Sequence, residues 1–316
     1  MRSQPLTEQA ERLATHDQID RICRMAGGFR MGPFELMDLV GIDVGFEVAK
    51  SFDQLSFGEP RWRPSPIQAR MVAAGRLGRK TGRGYYDYAE DGGYRPNDPE
   101  PREPGGGDGA LATVLGDGPV ADGLRERARA AGYELREGGP TELVVDAGAT
   151  PAESVPGGAP LLVLCASHSL AARGEHGAVG FHLLPPLEAL VELTRGAGTQ
   201  TFAAEAAEDF FGRLGFHTEW VEDAPGLVLG RLVCQLVNEA WFAVGEGVGS
   251  EADVDTGLML GLGHPRGPIE WGEQIGLEHV IAVLDGLWHE RREERYRPAP
   301  LLSRKASAAT FARRTS

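Results

Sequence analysis

Cysteine is nearly absent. Cys23, Cys165 and Cys234 are the three in 316 residues. They are widely spaced and odd in number, so a disulfide framework or a paired-cysteine metal site lacks its material, and a reducing cytoplasm is the expected compartment. Positive charge is also short. Against 46 Asp and Glu stand 32 Lys and Arg, a formal net charge of −14, which makes nucleic acid and anionic membrane surfaces poor partners. No apolar run reaches the roughly 18 residues of a membrane span, and Met1-Arg2-Ser3-Gln4-Pro5 has no apolar core behind it, so neither a span nor a signal peptide is expected. No His-Glu-x-x-His pairing occurs, and none of the histidines is spaced with cysteine, so no metal site is expected. Gly-x-Ser-x-Gly is missing too, which removes the hydrolase nucleophile elbow.

What is abundant is glycine and proline, 44 and 21 residues, many of them between residues 90 and 160, where long loops are expected. The strongest positive signal is an internal repeat. Gly28-Phe29-Arg30-Met31-Gly32-Pro33-Phe34-Glu35 returns 235 residues later as Gly263-His264-Pro265-Arg266-Gly267-Pro268-Ile269-Glu270. Gly41 returns as Gly276, Ile19-Asp20 as Val254-Asp255, and Arg61-Trp62-Arg63-Pro64-Ser65-Pro66 as Arg295-Tyr296-Arg297-Pro298-Ala299-Pro300. Ordered matches at a nearly constant offset mean a duplicated module. Within each copy, Gly-Pro opens a helix where the missing proline N–H costs nothing, and Glu35 in the first turn complements the helix dipole. Phe34, Leu36, Met37, Leu39 and Val40 form an apolar stripe closed by a Gly41 cap. Further helices are expected over 46–57, 66–77 and 227–246. The first copy has no full counterpart to that last helix. It is expected to be clipped at its N-terminus and to expose an apolar groove.

Residues 110–222 alternate between strand and helix patterns. Strands are expected at 110–115, 133–135, 143–146, 161–165 and 179–184, with helices after 118 and over 201–214, a small parallel α/β sheet. Gly116-x-Gly118-x-x-Ala121 falls between a strand and a helix, the context of a dinucleotide turn, with Gly116, Gly118 and Ala121 as its cofactor-binding residues. Asp117 within the turn repels phosphate, Pro119 withholds one amide, and Glu137 is the one carboxylate near the ribose position. The other reading is a structural turn. Residues 61–83 carry Arg61, Arg63, Arg70, Arg76, Arg79, Lys80 and Arg83 with no acid among them. Arg76, Arg79 and Lys80 are therefore candidate grips for an anionic ligand; a solvated helix face is the alternative.

Gly27-Gly28-Phe29-Arg30-Met31-Gly32-Pro33-Phe34-Glu35-Leu36-Met37-Asp38, followed by Gly78-Arg79-Lys80-Thr81-Gly82-Arg83-Gly84-Tyr85-Tyr86-Asp87-Tyr88, resembles the C-terminal domain of bacterial 3-hydroxyacyl-CoA (3-hydroxybutyryl-CoA) dehydrogenases. The resemblance, to the long form of the family, covers nearly the whole chain. It implies a mixed fold: two all-α domains of the dehydrogenase C-terminal type flanking a reduced Rossmann-like α/β segment. The boundaries are 1–89, a Pro/Gly linker at 90–108, 109–222, 223–303 and a frayed tail at 304–316. It implies NAD-dependent oxidation of 3-hydroxyacyl-CoA to 3-oxoacyl-CoA in fatty acid metabolism, with acyl-CoA as substrate. The expected partner is a second copy in a homodimer or a separate NAD-binding domain. The expectation is that an upstream NAD-binding domain is missing, that NAD is not bound by this chain alone, and that the chain does not turn over by itself. The alternative is a non-catalytic acyl-CoA-binding or dimerisation module. Matched to the family pattern, Gly180-Phe181-His182 places His182 as general base and Glu192 as its carboxylate partner; a structural histidine is the other reading. Pro185 and Gly230 replace family asparagines, and His168-Ser169 lies at the substrate-binding serine.

Overall fold

A computed structural model describes residues 12–88, 94–150, 152, 158–174 and 177–315, with side chains of the final helix described to residue 309. The first module comprises α1 (His16–Met25), α2 (Pro33–Val40), α3 (Ile42–Leu55), a 3-10 turn at Pro60–Trp62, α4 (Pro66–Ala73) and a second such turn at Arg79–Thr81. The middle runs β1 (Leu111–Leu115), α5 (Pro119–Ala130), β2 (Glu134–Leu135), β3 (Leu143–Asp146), β4 (Leu161–Leu164), α6 (Leu170–Arg173), β5 (Val179–His182), β6 (Leu190–Arg195), α7 (Thr201–Arg213) and β7 (His217–Trp220). The second module has α8 (Leu229–Gly245), α9 (Glu251–Leu262), α10 (Pro268–Ile275), α11 (Leu277–Arg291), a 3-10 turn at Glu294–Tyr296 and α12 (Pro300–Thr315).

The duplication holds at the level of single hydrogen bonds. Thr15 and Ser250 each N-cap a helix through a capping box. The buried carboxylate of Asp20 accepts from the amides of Phe34 at 2.8 Å and Glu35 at 2.9 Å. Asp255 accepts from those of Ile269 at 2.7 Å and Glu270 at 3.0 Å. Both thus satisfy orphan amides at the start of α2 and α10. The glycine before each proline is compulsory, because a Cβ on Gly32 would stand 2.2 Å from the Asp20 carboxyl carbon and one on Gly267 2.3 Å from that of Asp255.

The second motif of the first module, Gly78 to Tyr88, closes on Asp38. That carboxylate accepts from the amides of Tyr85 and Tyr86 and from the Tyr88 hydroxyl, each at 3.0 Å. A Cβ on Gly84 would fall 2.0 Å from its oxygen.

The sheet has seven strands in the order β2-β1-β3-β4-β5-β6-β7, parallel throughout except for the β5–β6 pair. β3 and β5 are buried along their whole length, as strands covered on both faces must be. This overturns the expected fold class of two all-α domains flanking a reduced segment. The chain is an α/β protein with a Rossmann-like, mostly parallel sheet at its centre. One hydrophobic cluster runs from Ile19 and Phe34 through Val145 and Phe181 to Leu287 and Tyr296. Two strands were missed for a physical reason. β6 buries Glu192 and Thr194, which break the apolar run, and β7 reads His-Thr-Glu-Trp, with little to bury.

Two smaller expectations also change. The linker over 90–108, whose residues 90–93 lie outside the described residues, packs rather than floats. Asp98 is bound by Arg24 at 2.6 and 2.8 Å, the Tyr94 hydroxyl donates to Glu35 at 2.7 Å, and the Gly107 amide donates to the Ala131 carbonyl. The stretch after 304, expected to fray, continues α12 to Thr315. No helix among the described residues is long and apolar enough to cross a membrane.

Candidate active site

His182 ends β5 and Glu192 lies directly opposite it on β6, as antiparallel register partners. The fold thus brings this expected pair side by side at the C-terminal edge of the parallel strands, beneath α8 and α11. Glu192 does not bond the imidazole. Its two oxygens accept from the amides of Val228 at 2.7 Å and Leu229 at 2.9 Å, capping the first turn of α8. Burial pushes its carboxyl up to about 8, against the pull of those two amides.

His182 is fully buried, and its Nε2 lies 3.2 Å from Nε2 of His279 on α11. Its Nδ1 is buried with no hydrogen-bond partner among the described residues. Burial first, and His279 second, hold His182 well below the usual imidazole value, while burial lowers His279 to about 4. Both rings are therefore neutral at physiological pH, and one of the facing nitrogens carries the shared proton. The helix above is cut to fit: a Cβ on Gly230 would stand 2.4 Å from the His182 ring. His279 is the residue that sequence reasoning missed. Its only signal was position, since 235 residues earlier the repeat carries Val44.

The turn after β1 holds its two glycines in the left-handed region. Gly116 and Gly118 have φ of 92° and 102°, values at which a side chain is strained. A Cβ on Gly116 would meet the Gly148 backbone at 2.4 Å, whereas the space over Gly118 is open. Ala121 is buried in the first turn of α5. A pyrophosphate fits this turn through helix N-terminal amides, with the amide that Pro119 lacks and the exposed Asp117 as departures from the ideal. Arg125 braces it from below by donating to the carbonyls of Val114 and Gly116. Asp146, at the end of β3, is buried against Arg173 at 2.9 Å.

The candidate anion grips already have partners. Lys80 is bonded to both oxygens of Asp43 at 2.6 and 2.7 Å, Arg76 donates to the Gly84 carbonyl, and Arg79 stacks on Tyr88 and Tyr94. All three belong to the first module and stand apart from the His182–Glu192 pair. His168 bonds the Ser167 hydroxyl at 2.8 Å, and Ser169 caps α6.

The seven-stranded, mostly parallel sheet with its glycine turn after β1 defines an α/β protein with a Rossmann-like centre. Residues 6–88 and 226–316 match the family model of the 3-hydroxyacyl-CoA dehydrogenase, C-terminal domain, and the chain belongs to that family. It is 31% identical to the 3-hydroxyadipyl-CoA dehydrogenase of Escherichia coli K12 over 94% of this chain and 55% of that protein. It is 34% identical to the 3-hydroxybutyryl-CoA dehydrogenase of Bradyrhizobium diazoefficiens over 43% of this chain and 47% of that one. The crystal structure of 3-hydroxybutyryl-CoA dehydrogenase from E. coli K12 superimposes with a TM-score of 0.75 at 26% identity, covering 98% of this chain and 59% of that one.

The chain therefore spans about half the length of the curated relatives it matches. The expectation of a missing NAD-binding domain finds no support in these matches, one of which runs over 94% of the chain. The alternative of a non-catalytic module finds none either, since these relatives are named as dehydrogenases.

Proposed function

We propose that the protein serves in NAD-linked interconversion of 3-hydroxyacyl-CoA and 3-oxoacyl-CoA in fatty acid metabolism. The observation that carries this is the pairing of His182 with Glu192 across β5 and β6, at the strand ends where α/β sheets bind their ligands. Removing hydride from a hydroxyl carbon requires a group to take the hydroxyl proton. His182, kept neutral by burial, is in the accepting form. Glu192 positions it indirectly, by holding the start of α8 against the ring.

NAD, when bound, supplies the hydride acceptor, and Gly116, Gly118 and Ala121 are the residues that would hold its pyrophosphate. Arg76, Arg79 and Lys80 would take the phosphates of the acyl-CoA after exchanging their present partners. As packed, His182 is closed off by His279 and the Gly230 backbone, so α11 must lift for a substrate hydroxyl to reach it.

The test is the purified protein with acetoacetyl-CoA and NADH, with binding followed by calorimetry and NADH by absorbance. Acetoacetyl-CoA is expected to bind. NADH oxidation is expected to be slow and to fall by roughly 10²-fold or more in His182→Ala. Absence of both acetoacetyl-CoA binding and NADH oxidation would overturn the proposal.

A further inference from the structure

The end of β2 carries the opposite charge to the one that an NAD site places there. In a sheet of this type, the strand beside the glycine turn meets the adenosine ribose of a bound dinucleotide about 20 residues after the glycines, and a carboxylate at that point accepts from the ribose 2′-hydroxyl. Here residue 136, 20 after residue 116, is arginine. β2 runs parallel to β1, with Ala112 opposite Leu135, so both strands end on the same edge of the sheet. The Arg136 amide still donates to the Ala112 carbonyl at 2.9 Å. The hydrogen bonding of β2 thus reaches Arg136, and Glu137 follows it. Arg136 stands one strand over from β1, about 4.8 Å to the side, and about 10 Å short of Gly116 along the strands.

A guanidinium has five donors and no acceptor. It offers nothing to the proton of a ribose hydroxyl, whereas its fork matches the oxygens of a phosphate. Its present partner is replaceable. Arg136 bonds Glu134 on its own strand at 3.1 Å, and the two side chains are 41% and 58% exposed. So exposed a pair contributes little, and a phosphate carrying nearly two negative charges outcompetes one carboxylate for the fork. In a chain of net charge −14, no long-range field draws such an anion in, so its recognition falls to a local cation of this kind.

Taking the Gly116–Gly118 turn as the dinucleotide site proposed above, we propose that its dinucleotide is the 2′-phosphorylated form, NADP(H), and that Arg136 grips the 2′-phosphate. Asp117 and the amide that Pro119 lacks weaken the hold of the turn on the pyrophosphate. A second phosphate contact, at the ribose, offsets that loss. Glu137 defines the competing arrangement, in which it takes the 2′-hydroxyl of NAD and Arg136 keeps Glu134.

The test is calorimetry of the full chain with NADP+ and with NAD+ at one ionic strength, repeated on Arg136→Leu, Glu134→Gln and Glu137→Gln. All three side chains are exposed, so the variants keep the fold. NADP+ is expected to bind at least tenfold more tightly than NAD+. Arg136→Leu should abolish that difference and leave NAD+ binding within twofold. Glu134→Gln should strengthen NADP+ binding alone, by freeing the guanidinium, and Glu137→Gln should leave the preference as it is. Adenosine 2′,5′-bisphosphate should displace NADP+ better than adenosine 3′,5′-bisphosphate. Equal or tighter binding of NAD+, weakened by Glu137→Gln or not, would overturn the role of Arg136 and leave the turn a dinucleotide site. Better displacement by the 3′,5′-isomer would also overturn it, because Arg136 would then serve the nucleotide of coenzyme A. If neither dinucleotide binds, the role of Arg136 and the cofactor site it rests on fall together.

Discussion

Two copies of one helical module sit in this chain, and among the described residues only the second has a long central helix, α8. The second wraps α8 and docks on the sheet, burying α10 and α11. The first has the same caps, the same glycines and the same helix order, yet Leu36, Val40, Val48 and Phe52, the counterparts of the buried Trp271, Ile275, Val283 and Leu287, are about half exposed. A capping frame is therefore set locally, by Asp20 or Asp255 and the Gly-Pro that follows, whatever the packing around it. Burial is not local, and it separates the copies.

The largest difference is expected from matched truncations at the face in question. Leu287→Ala empties a fully enclosed site and should cost about 2–5 kcal/mol, whereas Phe52→Ala, half exposed, should cost less than about 1 kcal/mol. Val283→Ala and Val48→Ala repeat the comparison with one residue type. Urea unfolding measures both, and equal losses at the paired positions would show that the first module's face is covered after all.

Next comes the contact that the first module cannot make. His279 occupies the place of Val44 and meets His182 in the sheet. Its folded value of about 4 lies below the ordinary 6.5, so the unfolded chain binds the extra proton between those values. The resulting stability is complete above about 6.5 and is lost as pH falls toward 4. For His279 this amounts to about 3 kcal/mol at most, and the neighbouring His182 steepens the slope. His279→Gln is expected to flatten the acid limb of a stability-against-pH curve; an unchanged limb would mean that the pair is not sealed.

The caps should differ by less. Asp20→Ala leaves two amides and the buried Tyr86 hydroxyl, now 2.8 Å from its carboxylate, without their acceptor. Asp255→Ala exposes two amides nearer to solvent. About 3 kcal/mol against about 1 kcal/mol is expected, read from the same urea transitions.

What the sequence made legible follows the same division. The repeat, the helix starts and the glycine turn after β1 were readable because each rests on a backbone requirement that only certain residues meet, such as proline at a first turn or glycine at positive φ. The sheet was under-read, since Glu192 and Thr194 look like surface residues until α8 is placed above them. The sealing of His182 was not readable. It depends on His279, 97 residues away, and on Gly230 having no side chain. The packed stretch after residue 93 was hidden for the same reason, because a Pro/Gly-rich composition gives no sign that Arg24 will hold Asp98.

The smallest difference expected is none. Gly41 joins α2 to α3 and Gly276 joins α10 to α11, with φ of 102° and 94° and ψ of 124° and 121°. In that region an added Cβ costs about 1–3 kcal/mol through the backbone alone. The surroundings add little. The atoms nearest a Cβ on Gly41 are the ends of the Asp43 and Lys80 side chains at 3.0 and 3.1 Å, which can move aside, and at Gly276 the nearest is 3.8 Å away. Gly41→Ala and Gly276→Ala should therefore lose the same stability within about 0.5 kcal/mol, although one lies beside the half-exposed Val40 and Val44 and the other beside the buried Ile275 and Leu277. A clear inequality would mean that the helix through the second module, rather than the turn itself, sets this corner.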